Sequence, residues 1–64
     1  MPIDEQAFRM MVEEQIQNER KAVKLLQSSM KKTNNTIIQL MFNQLALDSA
    51  KHEKMLRALL QLLK

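Results

Sequence analysis

Sixty-four residues can form one small domain at most, and a chain this short buries too little surface to be comfortably stable alone. The absence of cysteine excludes a disulfide framework and a thiolate metal site, so the core is expected to be supplemented by oligomerisation or by a metal held on His and carboxylates. A net charge of +3 is a weak field for phosphate and reads first as a solubility feature, while the lack of an eighteen-residue apolar run or a cleavable leader predicts neither a membrane span nor a signal peptide, hence a cytoplasmic location.

Glycine is absent and the single proline is at position 2, so no strong helix breaker interrupts the chain beyond Ile3. Most positions hold good helix formers and aromatics make up only 3 %, which predicts an all-α fold. Asp4 is placed to cap a first helix over about 4–32, with Glu5, Glu13 and Glu14 biasing its opening half acidic. Lys31 and Lys32 then fall in its last turn, beside the negative end of the helix dipole. Thr33, Asn34 and Asn35 favour caps and turns, so the chain reverses at about 33–35, and one of the three caps a second helix over about 36–63. Each helix would be about 28 residues and about 42 Å long. Two antiparallel helices cover only part of such broad apolar faces, so the hairpin is expected to pair with another copy as a homodimer, or a larger even oligomer, forming a four-helix bundle.

The apolar pattern has a polar interruption in each helix. In the second, Ile38, Phe42, Leu45, Ser49, His52, Leu56, Leu59 and Leu63 alternate in steps of four and three, as along a coiled-coil seam, with Ser49 and His52 as the polar neighbours. In the first, Phe8, Val12, Gln15, Glu19, Ala22 and Leu26 form the corresponding seam, and Gln15 and Glu19 lie near the centre of its apolar arc. With equal rise in both helices, position i faces roughly 68 minus i, which sets Glu19 level with Ser49 and Gln15 level with His52. The four residues therefore form one polar layer near mid-bundle, where a two-fold axis brings both copies' sets together. A buried carboxylate there needs a partner, which His52, Gln15, water or a cation could provide.

These residues resemble the ferritin-like and rubrerythrin-like carboxylate-bridged bundles, in their half-length two-helix form. Gln15-Ile16-Gln17-Asn18-Glu19-Arg20-Lys21-Ala22 looks like the first-helix ligand region of that family, and Leu45-Ala46-Leu47-Asp48-Ser49-Ala50-Lys51-His52 looks like its second-helix segment ending in the ligand His. The resemblance implies a pair of iron or manganese ions held by one Glu from one helix and a Glu-x-x-His motif from the next. Glu19 and His52 match two of these ligands, but Ser49 stands where the second Glu belongs. Asp48 is one turn from His52 and would have to lean inward from the flank to compensate. A dimer would then offer Glu19, His52 and at most Asp48 from each copy to iron, manganese or zinc, a reduced layer better suited to binding one metal or none than to oxidative chemistry.

A reading without metal stands beside this one: His52 bonds to Glu19 or Gln15 and fixes register, as a buried Asn does in a coiled coil. No oxyanion loop or phosphate-binding glycine accompanies Ser49 and His52, so catalytic residues are not expected. As a scaffold or binding module, the hairpin could present the basic flank of Arg9, Arg20, Lys24, Lys31 and Lys32 to structured RNA. Without Trp or Tyr to stack on bases, nucleic acid is the weaker partner.

Overall fold

The computed structural model describes residues 4–63, which form two antiparallel helices, α1 (Glu5–Met30) and α2 (Thr36–Leu62). Both start on side-chain caps. Asp4 accepts hydrogen bonds from the backbone N–H groups of Gln6 and Ala7, and Asn35 accepts from those of Ile37 and Ile38, so each cap satisfies two amides that have no partner within the helix. The turn is held by its own polar groups. Thr33 Oγ1 accepts from the Asn35 N–H at 3.1 Å, and Gln39 Nε2 in the first turn of α2 reaches back to donate to the Thr33 carbonyl at 2.7 Å.

Lys31 and Lys32 lie in the turn, past the end of α1. The Lys32 N–H donates to the carbonyl of Ser29, three residues back, so the helix finishes in a tight closure rather than another α-turn. Ser29 contributes by donating its hydroxyl to the Leu25 carbonyl at 2.8 Å.

The seam between the helices is narrow. Val12, Ile16 and Ala46 are the buried hydrophobic residues among those described, and no large side chain is fully enclosed. Ala46 is small enough to let α1 approach, so the axis of contact runs through Ala46 and Phe42 on α2 and through Val12 and Ile16 on α1. Compared with the expected seam, α2 is rotated away from its Ile38, Leu45 and His52 side, leaving Ile38 and Leu45 40 % and 50 % exposed.

The helices also meet about one turn further along than equal rise suggests. Arg9 Nη2 donates to the Leu63 carbonyl at 2.8 Å, Arg20 pairs with Glu53 at 3.2 Å, and Glu19 faces His52 rather than Ser49. The cause is side-chain direction. Side chains lean toward the N-terminus of their own helix, so in an antiparallel pair those of α1 lean away from the turn and those of α2 toward it. A residue of α1 therefore reaches one further along α2 than its level neighbour.

The resulting molecule is a rod of 50 × 18 × 14 Å, with a radius of gyration of 15.1 Å. A compact domain of this length has about 10.7 Å. Neither described helix is long and apolar enough to cross a membrane.

Candidate functional site

The rotated seam turns two rows of α2 toward one long flank of the hairpin. Ile38, Leu45, His52 and Leu59 are spaced by sevens, as are Met41, Asp48, Met55 and Leu62, and residues seven apart share a helix face. On α1 the rows bordering the same flank are Phe8, Gln15, Ala22 and Ser29, and beside them Met11, Asn18 and Leu25. A groove of about 230 Å³ joins the helices on this side, lined by Gln15, Glu19, His52, Met55 and Leu56. Along the flank Met11, Leu25, Met41 and Met55 each stand more than 60 % exposed. Exposed apolar surface of this extent marks a place where a soluble protein meets a partner, a ligand or a membrane.

Every row is broken by a polar residue near mid-length: Gln15, Asn18, Asp48 and His52. Of the expected layer Gln15, Glu19, Ser49 and His52, Gln15 and His52 lie on the open flank, with Glu19 beneath them. Glu19 is its most enclosed member, with a side chain 14 % exposed, while the His52 side chain is 56 % exposed and Gln15 is exposed. Gln15 Nε2 donates to Glu19 Oε1 at 3.3 Å, and His52 Nδ1 lies 3.5 Å from the same oxygen. The latter contact is longer than a good hydrogen bond and becomes an ion pair only when the imidazole is protonated. Two side chains thus converge on one carboxylate. Ser49 is half-buried on the neighbouring inward row, and Asp48 is exposed one row further out.

Asn18, on the open flank beside Gln15, is not part of the layer that the sequence predicts. Its signal is the row Met11, Asn18, Leu25, visible only once the direction of the open flank is known.

As a metal site, a single hairpin is incomplete. Glu19 and His52 supply two donors, and among the described residues no cluster of three His, Cys, Asp or Glu side chains is close enough to hold an ion. Zinc takes four ligands, and the ferritin-like pattern takes more.

The opposite flank is built differently. Glu53, 22 % exposed, receives Arg57 Nε at 2.9 Å and Arg20 Nε at 3.2 Å, one guanidinium on each oxygen. The hydrogen bond from Arg57, and with it the one from Arg20, holds the Glu53 carboxyl below its ordinary value against a smaller opposing effect of burial. A groove of about 480 Å³ on this side is lined by Arg20, Val23, Lys24, Gln27, Ala50, Glu53 and Lys54. Of the five residues of the expected basic flank, Arg9 is therefore committed to the Leu63 carbonyl and Arg20 to Glu53, while Lys24 borders the groove beside Glu53, Lys31 borders a groove near the turn and Lys32 is exposed in the turn.

Comparison with models of known protein families, with curated proteins and with solved structures returned no match.

Proposed function

We propose that the hairpin is a self-assembly unit, two copies laying their open flanks together to close a four-helix bundle with the Gln15, Glu19 and His52 cluster enclosed at mid-length. The observation that carries this reading is surplus surface. The chain exposes 5434 Å², against about 4,250 Å² for a compact monomer of its mass. The excess of roughly 1,200 Å² is more than the roughly 800 Å² each partner gives up in a standard interface.

The chemistry of that surface points the same way. Burying half-exposed Leu, Ile and Met side chains of the flank contributes about 1 kcal/mol each, roughly a dozen of them across both copies. Association costs about 4 kcal/mol or more, so an affinity near the micromolar range is expected. Sedimentation equilibrium tests it directly: dimers should predominate at about a hundred times that concentration. A species that stays monomeric at millimolar concentration rules the reading out.

Enclosure would take water from Glu19, and its neighbours are already in position to compensate. Gln15 donates to it and His52 stands within reach, an arrangement suited to fixing register. A cytoplasmic setting goes with this reading.

The 3.5 Å separation of Glu19 Oε1 and His52 Nδ1 favours one further occupant, a metal ion. Two copies together bring two carboxylates and two imidazoles, the number of donors in a four-coordinate zinc site, with iron or manganese as the ions that the ferritin-like resemblance implies. Asp48 would add to this set only by swinging in from its exposed row. Elemental analysis of untagged protein, beside a Glu19→Ala variant, decides between the occupants. Stoichiometric metal lost in the variant supports the ion, whereas a metal-free protein with a melting temperature indifferent to added zinc, iron or manganese leaves register as the role of the cluster.

A further inference from the structure

We infer that the two copies meet with their turns at opposite ends of the bundle, an orientation set by how charge is divided along the rod. The inference rests on the self-assembly reading above. Two hairpins can lay the same flanks together about a two-fold axis running along the helices, which puts both turns at one end, or about an axis running across them, which puts the turns at opposite ends. Helix dipoles do not choose, because each helix has antiparallel neighbours in both arrangements. Neither does the polar belt, which lies at mid-length and meets its copy either way.

Charge does choose. From Arg20 to Leu47, the half of the chain that includes the turn, there are five cations and no carboxylate. The rest of the chain carries five cations against seven carboxylates. The rod is 50 Å long and the screening length at physiological salt is about 8 Å, so each end responds only to the part of the partner lying beside it. Turns together would align two purely cationic ends. Turns apart would set each cationic end beside a net negative one.

The rim of the flank gives this a local form. With the axis across the helices, α1 packs antiparallel to its own copy, and an axis at the level of Asn18 sets Met11 against Leu25 of the second copy, each being seven residues from Asn18. Glu14 and Lys21, also seven apart, share the rim beside that row, so each comes within side-chain reach of the other on the second copy. On α1 the Met11 and Leu25 row and the rim charges are satisfied by one register.

The chain has no cysteine, so Asn34→Cys in the exposed turn takes a single spin label without disturbing the flank. In dimers identified by sedimentation of the same sample, pulsed dipolar spectroscopy should give a label separation near the 50 Å length of the rod. A separation of about two helix diameters, roughly 20–25 Å, in a proven dimer overturns the orientation and leaves self-assembly standing. A monomer in sedimentation overturns both. The double variant Lys31→Glu, Lys32→Glu supplies a test of opposite sign: its dimer should be roughly tenfold weaker at low salt and approach the parent at high salt. Tighter association of that variant is the result that turns together would give, and it overturns the inference.

Discussion

Along one flank of the hairpin Met11, Leu25, Met41, Leu45 and Met55 stand in water with nothing packed over them, while along the other Arg20 and Arg57 close on Glu53 and lysines border the groove. Both flanks are built from the same two helices, so the difference arises from rotation about each helix axis. Val12, Ile16 and Ala46 are the residues buried in the seam, and that choice of seam leaves two further apolar rows of α2 exposed. The charged flank is complete in one copy because its ion pairs are made within the chain and its lysines are solvated. The apolar flank is open, and in the self-assembly proposed above the polar belt at its centre is the part of the molecule whose surroundings would change most.

The largest expected effect comes from two leucines of α2 that are similarly exposed on opposite sides. Leu45, 50 % exposed, lies on the open flank, and Leu47, 56 % exposed, lies on the outer face. Leu45→Glu should weaken self-association at least about a hundredfold by forcing an unpaired carboxylate into the interface, whereas Leu47→Glu should leave it within a few-fold. Equal responses in analytical ultracentrifugation would erase the distinction between the flanks. The next effect falls on the seam they share: Ile16→Ala should cost about 2 kcal/mol in denaturant unfolding, at the low end for such truncations because the thin core opens readily to solvent. Asn35→Ala, which removes the acceptor for the Ile37 and Ile38 amides, should cost about 1 kcal/mol and leave the choice of flank untouched.

The smallest effect belongs to the charged flank and depends on pH. Because the folded-state value of Glu53 lies below the ordinary 4.5, its pairing stabilises the fold fully above that pH and is lost as pH falls through the lowered value. Arg57→Ala should therefore lower the melting temperature slightly at neutral pH, and the gap between variant and parent should close in acid. A gap that widens on acidification would show that Arg57 acts by some route other than Glu53.

Much of this molecule was legible in the chain as written. The absence of glycine, the Lys31 to Thr36 punctuation and the apolar periodicity specify two helices and one reversal, because propensity and capping are local properties that neighbouring residues settle among themselves. Asp4 is likewise readable as a cap, whereas Thr33, Asn34 and Asn35 were equivalent candidates until the fold assigned the cap to Asn35 and gave Thr33 a supporting bond. The nearness of Glu19 and His52 was also within reach of sequence. Their exact level was not, since equal-rise counting ignores the lean of side chains along each helix.

Sequence alone, then, determined the secondary structure, the hairpin and the polar interruption. Only the tertiary structure decided which of several adjacent apolar rows became the seam, and with it that Gln15 and His52 look out along an open flank rather than into the hairpin. The physical reason is that adjacent rows of a helix differ by a rotation of only about a seventh of a turn, too little for hydropathy to distinguish. The choice was left to the packing of one small residue, Ala46, against α1.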